Sequence, residues 1–224
     1  MFTKVQIKPV VILLYTVVAV AVWKCFAFPS NPVNFWYGAT PLFAAFVLFG
    51  LIPMGIVKWG LRERLADYGL QIGIVPRTVR TFLLAAPLIV LIAVFTGLNP
   101  AFFEVYPLNE TIRPQHAAID INVFVIHSIC YLGYYFGWEF LFRGFVQHGL
   151  SERCGIPAAI LVQTMSSVML HFGHPSVEVF GAIIAGLVWG FIAYRSRSIL
   201  SSFGQHALLG IVLDWVLIFG RTET

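Results

Sequence analysis

Seven largely apolar runs divide the chain, at residues 10–28, 40–59, 78–98, 117–150, 155–172, 177–194 and 199–219. All but the fourth have about the length a helix needs to cross the ~30 Å hydrocarbon core of a bilayer. Lipid offers the backbone no hydrogen-bond partners, so runs of this kind cross it as helices that satisfy their own polar groups. The expected fold is all-α, a polytopic membrane helix bundle of about seven transmembrane spans. Composition agrees: 11% of the 224 residues are charged, against about 25% in a soluble domain. Aromatic residues reach 16%, which suits lipid-facing surfaces and interfacial belts.

The breakers and most of the charge lie between the runs. Residues 29–37 contain Pro29, Asn31 and Pro32, a turn-forming cluster. Residues 61–76 interleave Arg62, Glu63, Arg64 and Asp67 with Leu61, Leu65 and Leu70, a mix suited to a segment in the headgroup region. The linker 99–115 is polar, with Pro100, Pro107 and Pro114; its Asn109-Glu110-Thr111 is formally a glycosylation sequon. The fourth run rises further than one crossing at 1.5 Å per residue, so its last turns should emerge or bend. Two parts are expected: 1–118, holding three spans with the interfacial segment and linker, and 119–220, a core carrying the site.

The run 10–28 follows Lys4 and Lys8, is long enough to span, and is not followed by a small-residue cleavage site, so it is expected to be the first span. Sorting Lys and Arg by side of the membrane puts eleven with the N-terminus and three, Lys24, Arg113 and Arg221, opposite. That bias places the N-terminus in the cytoplasm and the C-terminus outside, in an integral protein of the plasma or inner membrane. The net charge of +4 is spread over loops, which points to a lipid bilayer and to no nucleic acid. Cys25, Cys130 and Cys154 are odd in number and far apart, giving neither a disulfide framework nor a metal-binding spacing.

Polar side chains inside the spans are costly and therefore form the functional shortlist. They are Asp120, His127, Glu139, Arg143 and His148 in the fourth run, His171 ending the fifth, and His206 and Asp214 in the seventh; His174 and Glu178 lie in or beside the turn after His171. Glu139 and Arg143 stand four residues apart, with the acid N-terminal, the favourable order for a helical ion pair. Taken alone, that pair serves equally to fasten helices. If it meets His171 and His206 inside the protein, Glu or His can hold and deprotonate a water while His steadies an oxyanion. These boundaries set His171 and Glu139 toward opposite faces, so the boundaries must shift or the fourth run must bend. Asp120 and His127 suit helix-end or packing roles.

Other intramembrane chemistries lack their signatures. There is no His-Glu-x-x-His, and Gly173 and Pro175 disfavour a helical ligand pair in His171-Phe-Gly-His174. No Ser occupies a Gly-x-Ser-x-Gly elbow. A small transporter using Glu139 and Asp214 as proton relays would be expected to show repeats or paired broken spans, and none is visible. Gly133-x-x-x-Gly137 and Gly186-x-x-x-Gly190 allow close helix crossings.

The stretch Glu139-Phe140-Leu141-Phe142-Arg143-Gly144, followed by His171 and then by His206, resembles the CAAX prenyl protease and bacteriocin-processing family of intramembrane proteases (CPBP or Abi). The resemblance covers about 133–215. It implies a membrane helix bundle with its site in a membrane-facing cavity, and glutamate-dependent hydrolysis of a peptide bond in a membrane-associated peptide or protein. The implied catalytic set is Glu139, Arg143, His171 and His206, with Glu139 and His171 activating water, His206 at the oxyanion and Arg143 positioning Glu139. Glu178, His174 and Asp214 are accessory candidates. No cofactor is implied, although a divalent metal is compatible with this set. The motifs depart at three points: Trp138 stands where the first Glu of Glu-Glu-x-x-x-Arg would be, Ser167 where Phe-x-x-x-His has Phe, and Gly210 where His-x-x-x-Asn has Asn. The alternative is a catalytically inactive member of the same fold that binds or regulates a membrane partner.

Overall fold

The computed structural model describes residues 4–113 and 119–220, with side chains from Ile7 onward. Ala117 (the expected start of the fourth run), Pro114, Gln115, Arg221 and the Lys4 side chain lie outside the described residues. Among the described residues the chain is helical, with no strand. The long helices are α1 Lys4–Phe26, α2 Thr40–Leu61, α3 Val75–Gly97, α4 Ile121–Glu139, α5 Gly149–Val168, α6 Ser176–Ser196 and α7 Leu200–Phe219. α4 continues without a break through the π-helical segment Phe140–His148 into α5.

By length and apolarity six stretches can cross a membrane, and one of them, Ile121–His171, has 51 residues. A straight helix of that length would extend about 76 Å, enough for two crossings. It is not straight. Gly155 adopts φ +77°, a left-handed conformation open to glycine. The arm beyond it returns, bringing the His171 ring to 5.5 Å from that of Trp138. Counted as two arms, this stretch supplies the expected fourth and fifth spans, and the protein is an integral membrane helix bundle.

Contacts sort the helix ends onto two faces. At one, Lys8 in α1 pairs with Glu63 after α2 at 2.9 Å and with Glu152 near the Gly155 turn at 3.6 Å. At the other, Lys24 near the end of α1 donates to the carbonyls of Leu170 and Phe172 at 3.1 and 3.2 Å. There too Tyr106, after α3, donates to Glu178 near the start of α6 at 2.6 Å. The chain therefore changes face with each helix.

α4 and the π-helical segment form the centre. Every residue from Gly137 to Gln147 is buried, whereas α3 and α6 expose Leu83, Leu84, Ile184 and Phe191 at the perimeter. Both glycine pairs sit at crossings. A Cβ on Gly137 would lie 2.7 Å from the Ala45 carbonyl oxygen in α2, and one on Gly186 would lie 2.7 Å from Thr164 in α5. The Gly186 and Gly190 carbonyls also accept from Gln163 and Gln147, at 2.8 and 2.9 Å. In the segment 61–76, Tyr68 is buried beneath the π-helical segment while Arg62 and Arg64 stay exposed.

Candidate functional site

Two carboxylates organise the polar residues that surround the interior cavity. Glu139 ends α4 and is wholly buried. Its Oε1 lies 2.8 Å from His206 Nδ1 and 3.2 Å from Arg143 Nη1, one turn on. Held by this carboxylate, His206 carries its proton on Nδ1 and presents Nε2 elsewhere, the orienting effect an acid has on a catalytic imidazole. Arg143 lies over the Trp189 ring at 5.6 Å, and Trp189 packs on His206 at 4.6 Å between ring centroids. Trp189 is fixed in turn by its Nε1–H donating to Gln205 Oε1 at 3.0 Å.

The second carboxylate is Glu178. Its Oε1 accepts from the Tyr106 hydroxyl at 2.6 Å and lies 3.0 Å from His174 Nδ1. Burial, followed by the Glu178 charge, pushes the Tyr106 phenol well above its usual range, so it remains a donor. The other oxygen, Oε2, is buried with no hydrogen-bond partner among the described residues. His171 places Nδ1 3.0 Å from the Ser167 carbonyl, which only an N–H can serve, so Nε2 is left as an acceptor. That Nε2 is 3.9 Å from Glu178 Oε1, too long for a direct hydrogen bond and short enough for one water to join them.

The two clusters face one cavity of about 470 Å³. Arg143, His171, Glu178, His206, Trp138 and Tyr135 line it, with an apolar wall from Leu88 and Ile92 of α3 and Ile184 and Val188 of α6. Glu139 and Asp214 do not line it. His171 reaches this depth because α5 stops at Val168: residues 156–168 rise only about 20 Å, and the 3₁₀ turn Met169–His171 follows. Glu139 and His171 lie equally far, 16 residues, before and after the Gly155 turn, which removes the separation expected between them.

Trp138, in the place of a motif carboxylate, fills the space between the histidines, with ring centroids 5.5 Å from His171 and 6.0 Å from His206. Gly210, in the place of a motif amide, is filled from across the bundle: a Cβ there would overlap the Tyr135 hydroxyl. Tyr135 is 4% exposed and its ring lies 4.5 Å from that of His206. Sequence reading missed Tyr135 and Tyr106. The available signal is a four-residue spacing, His127, Tyr131, Tyr135, Glu139, Arg143 and Gln147, all buried.

The remaining candidates lie elsewhere. Asp214 meets His127 at 2.8 Å, both wholly buried. Asp120 caps α4, its Oδ1 accepting from Asn122 N–H at 2.6 Å. Among the described residues no three His, Cys, Asp or Glu side chains are grouped to hold a metal ion.

Fold and cavity together define a polytopic all-α membrane protein with an interior polar site. Residues 117–212 match the family model for Rce1-like type II CAAX prenyl endopeptidases. The match agrees with the resemblance read from the motifs, covers less than half of the chain and leaves α1–α3 outside. No curated protein and no solved structure matches the chain.

Proposed function

We propose that the protein is an intramembrane endopeptidase that hydrolyses a peptide bond of a membrane-associated protein or peptide. The observation carrying this reading is the gathering of Glu178, His171, His206 and Tyr135 on one mostly apolar cavity inside the bundle. A water between His171 Nε2 and Glu178 Oε1 can give a proton to the Glu178 carboxylate and attack the carbonyl carbon. Glu178 then returns that proton to the departing amine as the C–N bond breaks. Tyr135 O–H donates to the oxyanion, and the His206 ring, oriented by Glu139, packs against the Tyr135 phenol. Glu139 is thereby a positioning residue, and the water-activating role expected for it passes to Glu178. No step is routed through a metal.

The test is cleavage of a membrane-peptide library by the purified full chain in liposomes. Wild type is compared with Glu178→Gln and His171→Ala, each with and without chelator. Loss of cleavage in both variants, with chelator indifferent, supports the reading. Undiminished cleavage in Glu178→Gln removes Glu178 as the base, and chelator sensitivity removes the metal-free route. A wild type that binds these peptides and cleaves none leaves the inactive, partner-binding alternative, which Trp138 favours.

A further inference from the structure

A second recess of about 470 Å³ opens on the opposite face from Glu178. Arg77, near the start of α3, meets Arg195 and Arg197, at the end of α6, with His148 and Gln71 beside them. Asp67 is the one acid lining it. No ion pair among the described residues involves Arg77, Arg195 or Arg197, and His148 Nε2 is buried without a partner.

The backbone around the recess is laced together. Ile74 N–H donates to the Ser196 carbonyl at 2.9 Å, Ile199 N–H to the Gly69 carbonyl at 3.0 Å, and Gln71 Nε2 to the Arg197 carbonyl at 3.0 Å. Arg77 Nη1 donates to the Arg195 carbonyl at 3.2 Å. Gly73 is left-handed, at φ +70°, and a Cβ there would overlap the Ser196 carbonyl. A helix C-terminus accounts for a cation in its own last turn. It does not account for Arg77, brought from the start of another helix, or for Arg197 beyond the last turn.

We propose that this recess binds a phosphate-bearing anion at the membrane surface, through the Arg77, Arg195 and Arg197 guanidinium groups. Guanidinium is the side chain best matched to phosphate oxygens, and basic pockets between helix ends are lipid headgroup sites. The phosphate can come from an anionic phospholipid or from a soluble phosphate, and the site is independent of the cleavage reading.

The test uses the full chain in nanodiscs of phosphatidylglycerol or phosphatidylcholine, with retained lipid read by native mass spectrometry. Thermal unfolding with added inorganic phosphate forms a second arm. The test variant is Arg195→Gln with Arg197→Gln; the control is Arg80→Gln with Lys58→Gln, outside the recess. Only the backbones of Arg195 and Arg197 take part in the lacing, so the variant should fold, and its melting profile checks this. If it does not, Arg197→Gln alone is read. Phosphatidylglycerol should be retained selectively by wild type and control, about fivefold less for each recess guanidinium removed and about 25-fold less for the pair. Protection by inorganic phosphate, lost in the variant, without selective lipid retention would assign the site to a soluble phosphate. Equal retention by variant and wild type, with no phosphate protection, would overturn the proposal, as would an equal loss in the control.

Discussion

His206 Nδ1 and Glu139 Oε1 lie 2.8 Å apart, and Arg143 Nη1 reaches the same oxygen at 3.2 Å. A single carboxylate oxygen thus orients the imidazole and neutralises the guanidinium, away from the cavity wall. Glu178 stands at the cavity with one oxygen occupied and one free. On the proposed reading, the division separates a carboxylate that holds the site together from one that exchanges a proton.

That division predicts different stability costs for two losses of activity. Glu178→Gln should lower cleavage by about 10²–10⁴ and leave the melting temperature nearly unchanged, because the amide oxygen still accepts from Tyr106. Glu139→Ala should abolish cleavage as well, while costing about 3–5 kcal/mol by leaving Arg143 buried and unpaired. Arg143→Ala should cost a similar amount for the converse reason. Thermal unfolding of the three purified variants checks this; equal melting temperatures for Glu178→Gln and Glu139→Ala would contradict it.

Tyr135 and Gly210 compete for one space. Tyr135→Phe removes the hydroxyl alone and should reduce cleavage by about 10²–10³, the usual effect of losing one oxyanion donor, with the fold intact. Gly210→Ala should cost about 1–3 kcal/mol through overpacking against the phenol, and adding Tyr135→Ala should recover that stability without recovering cleavage. Additive losses in the double variant would show that the two residues do not share the space.

The same geometry shows what was legible in the sequence. Span positions and the glycine crossings could be read because lipid imposes length, and close helix approach demands small residues. The pairing of Glu139, Arg143 and His206 was likewise indicated by charge burial and motif spacing. Glu178 as the cavity carboxylate was less legible, since the short return of α5 after Gly155 sets the depth of His171. Tyr135 was hidden because a tyrosine in an aromatic-rich helix looks like packing. Its place in a polar row of spacing four becomes meaningful only with the π-helical segment. Such a row drifts about 40° per step on an α-helix, and the wider turns from Phe140 onward keep Arg143 and Gln147 inside.

The His127–Asp214 pair is buried, 2.8 Å across, and does not line the cavity. It joins α4 to α7. Asp214→Ala leaves the imidazole without its partner and should cost about 1–3 kcal/mol, while the folded fraction cleaves at the wild-type rate. A fall in rate per folded molecule would place Asp214 in the reaction.

Gly133 and Gly137 share a motif but not a contact. A Cβ on Gly137 would lie 2.7 Å from the Ala45 carbonyl oxygen, whereas one on Gly133 finds its nearest neighbour at 3.7 Å, in the Phe46 side chain. Backbone cannot rotate aside as a side chain can, so Gly137→Ala must push α2 away from α4, at a cost of about 1–3 kcal/mol. Gly133→Ala meets only ordinary van der Waals contact and should be neutral or slightly stabilising in thermal unfolding, alanine being the better helix former. Because Gly137 precedes Trp138 and Glu139, the displacement should also reach the site, and Gly137→Ala should lose cleavage where Gly133→Ala keeps it. Equal behaviour of the two variants would mean that this crossing does not set the position of α4.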